Sequence, residues 1–302
     1  MLNFFRKIFG QRQEPKKQSL DNVVTAPLSD IQLQSIRTMP VNHFEPPQLL
    51  VTSAQSVGRQ RELNEDSLFT LATTIAGNSS SAPFGLFIIA DGMGGHQYGE
   101  IASNTAIRVI SGYILKKFHN SMFSIPPMPM EESLQEIMLA AVSEAQRVVL
   151  SEAPGSGTTV TAALVLGQQL TVGHVGDSRG YLIYNDQRME AITRDHSLVR
   201  RLEELGQITS AEAAVHPQRN VLYRALGQGE TLDPDLSTVP LPVGGYILLC
   251  SDGLWGVVPD DEMKKIIFEA PTIQRGCQNL IAAANAAGGP DNISAILVQL
   301  LG

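Results

Sequence analysis

Cysteine is scarce: only Cys250 and Cys277 occur, both in apolar surroundings. Two such thiols suit a reducing cytosol and rule against a disulfide-stapled scaffold. Long apolar runs are absent too, since none reaches the roughly 18 residues a bilayer-spanning helix needs. Positive charge is in short supply. The formal charge is -8 over 302 residues, whereas phosphate-backbone binding needs a basic face, which argues against general nucleic-acid affinity. No G-x-G-x-x-G or G-x-x-x-x-G-K-[ST] loop is found, and no internal repeat. The opening MLNFFRKIFG has too short and broken an apolar stretch for a signal peptide, and does not resemble a transit peptide.

What is present divides unevenly. The chain is 43% hydrophobic and 17% charged, as expected of a globular protein. Residues 1–47 hold six basic and four acidic residues, leaving 16 basic and 26 acidic downstream. Gln, Pro and Ser punctuate this segment and no period persists, so it is read as a flexible tail or linker. Its Leu2, Phe4, Phe5, Ile8 and Phe9 among basic residues leave open a contact with a membrane or partner. Residues 48–302 are read as the folded domain. LLVTSAQSVG, FGLFIIA, TVTAALVL, QLTVGHVG, RGYLIY, GGYILLC and ISAILVQL are short apolar or β-branched runs bounded by Gly, Asp or Asn, which predicts strands. Apolar residues recurring at three and four predict helices through 102–113 and 134–149, with others over 260–269 and 273–287. Strands in consecutive runs with helices between the groups predict an α+β layered fold with antiparallel sheets.

Four aspartates share one local grammar. FGLFIIA ends in Asp91-Gly92, LTVGHVG in Asp177-Ser178 and GGYILLCS in Asp252-Gly253, while GGP-Asp291-Asn292 leads into ISAILVQL. Glu65-Asp66 follows the first strand. Each alone is ordinary turn chemistry. Together they place a carboxylate at the end of every deep apolar strand. If those ends converge, repulsion and desolvation demand compensating cations. No Cys or His cluster accompanies them, and all-oxygen donor sets select Mg²⁺, Mn²⁺ or Ca²⁺. Paired ions of this kind activate water against phosphate. Arg61, just upstream of Glu65-Asp66, has the planar fork that grips phosphate oxygens.

RELNED (61–66), ADGMGGHQYGE (90–100), GSGTTVTAA (155–163), HVGDSR (174–179), SDGLW (251–255) and GPDN (289–292) follow one another in the order of one family. From about Gln48 to Gly302 the chain resembles the metal-dependent serine/threonine protein phosphatases (PPM, or type 2C) in their short bacterial form. The resemblance implies a four-layer α-β-β-α sandwich of two antiparallel sheets flanked by helix pairs. It implies Mn²⁺ or Mg²⁺ as cofactor, two core ions and a weaker third. Asp91 takes the place of the bridging ligand, Gly92 offers a carbonyl, and Asp252 and Asp291 hold the other ion. Glu65 and Asp66 bind directly or through water. Asp177 matches the third-ion ligand, shared with Asp252. A hydroxide bridging the ions would attack phosphorus in line, without a phosphoenzyme, while Arg61 orients the phosphate.

The family's animal members keep a histidine where Met93 stands, so the acid for the leaving group is left unassigned. His96 is the candidate substrate-side residue, against a bland helix-cap reading. Residues from Asp195 to about Arg224 match a mobile flap beside the substrate cleft. Thr158 and Thr159 are read as polar strand residues, Trp255 as core, and His196 as a helix N-terminal residue. Substrates implied are phosphoproteins opposed to a serine/threonine kinase in the cytoplasm. Two alternatives stand beside the phosphatase: a catalytically weak phospho-binding regulatory module, which the complete acidic set disfavours, and a nuclease, which the negative charge disfavours.

Overall fold

The strand β3 (Ser80–Met93) explains the layering. Its Leu86, Ile88 and Ala90 face one apolar cluster, while Phe87 and Ile89 face another. Side chains alternate across a strand, so a run that is apolar at every position must be covered on both faces. The structure, a computed structural model, describes residues 47–77, 80–94, 98–126, 128–229 and 232–301.

Two antiparallel sheets result. The first orders β1 (Gln48–Ser56), β11 (Ile293–Leu301), β10 (Tyr246–Cys250), β7 (Arg179–Ile183) and β8 (Met189–Ala191). The second orders β2 (Asp66–Gly77), β3, β5 (Val160–Leu166), β6 (Gln169–Val175) and β9 (Asp235–Pro240), with the short β4 (Gly157–Thr158) paired to β3. Phe87, Ile89, Val165 and Val172 from one sheet meet Ile247, Leu249, Ile296 and Val298 from the other, forming the inner layer of the core. The outer face of the second sheet packs on α1 (Tyr98–Phe123) and α2 (Leu134–Glu152) through Ala106, Ile110, Ile137 and Met138. Beyond the short α5 (Asp252–Trp255), that of the first packs on α6 (Asp260–Glu269) and α7 (Ile273–Ala286) through Met263, Ile267, Cys277 and Leu280. The four-layer α-β-β-α arrangement implied by the resemblance is therefore the observed one.

Local chemistry agrees with these boundaries. α2 opens on a capping box: Glu136 N–H donates to Ser133 Oγ (3.2 Å), and Ser133 N–H to the Glu136 carboxylate (2.7 Å). Such a cap contributes about 1 kcal/mol. Between β8 and β9 lie α3 (Leu198–Glu204) and α4 (Ser210–Ala214). α3 has no buried residue, so its Ser197 cap rather than packing marks its start. Among the described residues no helix is long and apolar enough to cross a membrane. The tail reading of residues 1–47 falls outside the described residues except for Pro47.

Candidate functional site

Antiparallel pairing gathers the acidic strand ends. β2 begins where β3 ends, so Asp66 lies directly opposite Asp91 in register. β10 ends where β11 begins, with Cys250 opposite Ala295, which carries Asp252 to the side of Asp291. β6 ends opposite the start of β5, Val175 facing Val160, and delivers Asp177. Like charges directly across a pair are unfavourable, so the register of Asp66 with Asp91 runs against sheet stability.

Each acidic position is held by the chain around it. Asp66 Oδ2 accepts from Ser251 Oγ (2.8 Å) and Ser294 Oγ (2.6 Å). Asp91 N–H donates to Thr159 Oγ1 (2.9 Å), and Asp91 C=O accepts from Thr158 Oγ1 and Thr159 N–H, both at 2.9 Å. Asn292 is the tie between segments: its Oδ1 accepts from Glu65 N–H (2.8 Å), and its Nδ2 donates to Val57 and Leu63 carbonyls. Arg61 Nη2 donates to Asp291 Oδ2 at 2.8 Å. Gly92 N–H donates to Glu65 C=O (3.2 Å), and a Cβ on Gly92 would stand 2.2 Å from the Gly99 carbonyl. Glycine is required there because the backbone passes too close for any side chain.

Electrostatics mark the cluster as unfinished by protein alone. Burial, then the charges of its neighbours, lifts Asp91 and Asp177 well above the usual carboxylate range. Burial foremost pushes Asp66 to about 7 against its serine bonds, and burial with Asp291 pushes Asp252 to about 6. Part of Asp91 and Asp252 still meets solvent, yet the surrounding protein strips most water from their carboxyl groups. Among the described residues, three buried carboxylate oxygens have no hydrogen-bond partner: Glu65 Oε1, Asp66 Oδ1 and Asp252 Oδ1. Unsatisfied buried acceptors of this kind cost about 1–3 kcal/mol each, more when charged, unless something cationic meets them.

These donors fit hard divalent ions. All are oxygens, and the Gly92 backbone follows Asp91 directly and is tied to Glu65 by its N–H. Among the described residues, no three Asp, Glu, His or Cys side chains are drawn together tightly enough to hold an ion alone. The two observations agree for Mg²⁺- or Mn²⁺-type ions, which keep several waters and take only one or two carboxylates each. Arg61, Asp177, Asp252 and Asp291 line a cleft of about 860 Å³, with the α3–α4 segment on its other wall. Glu65, Asp66 and Asp91 lie behind that lining.

Several residues that support the acidic cluster were not legible beforehand. Thr158 and Thr159, read as plain strand residues, fix the backbone on both sides of Asp91. Trp255, read as core, donates from Nε1 to Asp177 C=O (3.0 Å) and stacks under the Arg179 guanidinium, 3.5 Å from its ring centroid. Asn292 gave a signal only as part of G-P-D-N. His96 lies outside the described residues. Replacing Thr159 by Val leaves Asp91 N–H without an acceptor, and the expected loss is about 1–3 kcal/mol. Urea unfolding of Thr159→Val beside Thr159→Ser, which keeps the hydroxyl, checks this.

Comparison with known proteins gives the same picture. The family model for protein phosphatase 2C matches residues 51–293. A serine/threonine phosphatase stp of Listeria innocua is 36% identical over 244 residues, covering 80% of this chain and 92% of that protein. The Mycobacterium tuberculosis serine/threonine phosphatase PstP/Ppp superposes with a TM-score of 0.69 at 31% identity, over 84% of this chain and 100% of that one. A PstP catalytic domain in complex with two manganese ions gives 0.68 at 30% identity, over 85% and 100%. With strand order, acidic strand ends and sequence all in agreement, the chain belongs to the protein phosphatase 2C family.

Proposed function

We propose that the chain hydrolyses phosphoserine and phosphothreonine in proteins, using two core Mn²⁺ or Mg²⁺ ions and a weaker third. The observation that carries this reading is the set of buried, unpartnered oxygens on Glu65, Asp66 and Asp252. Asp91, the Gly92 carbonyl, Asp252 and Asp291 would hold the core ions, with Glu65 and Asp66 beside them and Asp177 on the cleft side. When bound, such ions supply an activated water and neutralise charge on the phosphoryl oxygens.

The chain's own groups do the rest. Thr158 and Thr159 fix Asp91 from behind, and Asn292 ties down the 57–65 segment, so that Arg61 lines the cleft and Glu65 lies behind it. Arg61 is half-exposed at the rim and shares Asp291, which leaves other N–H groups of its fork for a phosphate. Met93 accepts from Gln228 Nε2 at 3.6 Å; a thioether has no proton to give, so it is not the leaving-group acid. The substrates are products of a serine/threonine kinase, and the α3–α4 segment walls the cleft they enter.

The test is release of phosphate from a phosphothreonine peptide with Mn²⁺. Wild type is expected to be active, Arg61→Ala to lose about 10- to 100-fold in kcat/KM through a charge-assisted contact to phosphate, and chelator to abolish turnover. No turnover at saturating Mn²⁺, or turnover undiminished by chelator, would overturn the reading.

A further inference from the structure

His196 belongs to none of the acidic positions and does not line the cleft, although Asp195 and Ser197 on either side do. Its side chain is 2% exposed. Both halves of its peptide and both ring nitrogens are nevertheless engaged with three separate parts of the fold. His196 N–H donates to Gly176 C=O (2.7 Å), and Gly176 N–H donates back to His196 Nδ1 (3.1 Å). His196 C=O accepts from Tyr223 N–H (2.9 Å), where the α3–α4 segment returns. Nε2 stands 3.2 Å from Asp235 Oδ2 at the start of β9.

The tautomer follows from these partners. An amide donating to Nδ1 requires a free lone pair there, so the proton sits on Nε2 and points at Asp235. Burial and then the neighbouring Arg224 lower the imidazole's pKa, which keeps the ring neutral. Arg224 Nη1 stands 3.2 Å from His196 Nε2 and donates to Asp235 Oδ1 (2.9 Å). Because the Gly176 amide can only donate, Nδ1 keeps the lone pair, and the Arg224–Nε2 approach is a close contact rather than a hydrogen bond to the ring.

Gly176 immediately precedes Asp177. β6 ends at Val175, so the Gly176 amide has left the sheet, and His196 replaces the lost ladder partner on both sides. Gly176 has φ +106°, and a Cβ would meet the Thr159 side chain at 2.6 Å. On the far side of Asp177, Arg179 donates from Nε and Nη2 to the Asp195 carboxylate (3.0 and 2.8 Å). The pair Asp195–His196 thus brackets Asp177, one contact before it and one after.

We infer that His196 is a positioning residue for Asp177: its Nδ1 fixes the Gly176 amide and so aims the Asp177 carboxylate into the cleft. A role as proton donor to substrate does not fit, because the ring is sealed and its one N–H is spent on Asp235. The assignment rests on the phosphatase reading for its functional consequence, but its structural half is measurable without turnover.

Two replacements of similar size separate the ring's two ends. His196→Asn puts a carbonyl oxygen near the place of Nδ1; His196→Gln puts its amide near Nε2 and leaves Gly176 without an acceptor. Amide hydrogen exchange at Gly176 and the Mn²⁺ concentration giving half-maximal phosphate release are measured on both in the full chain. Exchange in His196→Gln is expected to rise about tenfold and the Mn²⁺ requirement about two- to tenfold, the scale of one lost hydrogen bond. His196→Asn stays within about twofold of wild type. If the two variants match each other in both readouts, normal or impaired, the positioning role is wrong. Should either fail to fold, ¹⁵N spectra of the wild-type imidazole decide: a bare Nδ1 with protonated Nε2 supports the role, and a protonated Nδ1 overturns it. A wild type with no turnover in Mn²⁺ would instead count against the phosphatase reading, while Gly176 exchange and the imidazole spectrum still judge His196.

Discussion

Asp91→Asn is expected to lose phosphatase activity by about a thousandfold or more and, stripped of metal, to melt higher than wild type. The two effects have one cause. Asp91 sits across from Asp66 and beside Asp252 and Asp177, in a site where burial and like charges hold its carboxyl well above the ordinary range. Without cations the fold must either hold Asp91 ionised among like charges or take up a proton there; an amide removes that cost and can still donate to Asp252. A relief of about 1–2 kcal/mol corresponds to a single pKa unit or slightly more, or a few degrees in a domain of this size. With cations, under the proposed function, the same charge would anchor the ions that activate water, and its removal is expected to cost about 4 kcal/mol at a thousandfold. Melting in chelator beside phosphate release in Mn²⁺ checks both signs. A variant less stable than wild type in chelator would contradict the charge argument.

The second large effect is a reversal of pH dependence by Mn²⁺. Asp66 is raised to about 7 and Asp252 to about 6, with Asp91 and Asp177 raised as well. A carboxyl whose folded pKa exceeds its unfolded value binds more protons folded than unfolded. Its stabilising contribution is complete below about pH 4 and is lost as pH rises through about 6–7. The metal-free cluster therefore becomes a liability at neutral pH, where it is also the best cation ligand, since ligands must be deprotonated to bind. Mn²⁺ at about 100 times its dissociation constant contributes about 2.7 kcal/mol, which is expected to raise the melting temperature by about 5–10 °C at pH 7.5. At pH 5, where protons occupy the site, the rise is expected to be small. An equal rise at both pH values would contradict titration of these carboxylates on ion binding.

Legibility in the sequence followed burial. β3, β5, β10 and β11 could be read because they are covered on both faces and are apolar at nearly every position. The long helices showed their stripes. β2 was missed: SLFTLATTIAG mixes Thr and Ala without alternation, and as an edge strand it is defined by its pairing with β3. Of α3 only the start was read, through His196 as a helix N-terminal residue next to the Ser197 cap; Leu198, Leu202 and Leu205 recur at four and three, but the run is short and nothing in the helix is buried. The carboxylates were visible because Asp91, Asp177 and Asp252 close apolar runs and Asp291 opens one, and antiparallel pairing does bring those ends together. The four-layer stacking itself came from family resemblance, since periodicity does not say which sheet covers which. Hydrogen bonds between distant residues were invisible. Nothing in GTT announces that Thr159 reaches Asp91 across 68 positions, nor does DHS show His196 bonded to Gly176.

Direct Mn²⁺ titration by calorimetry at pH 7.5 into metal-free wild type, Asp91→Asn and Asp252→Asn bears on the centre of the matter, that the buried carboxylates exist to hold cations. Wild type is expected to bind Mn²⁺ tightly, and each variant to bind it about a hundredfold or more weakly while remaining folded. Unchanged affinity and stoichiometry in both folded variants would show that the ions, if they bind, bind elsewhere.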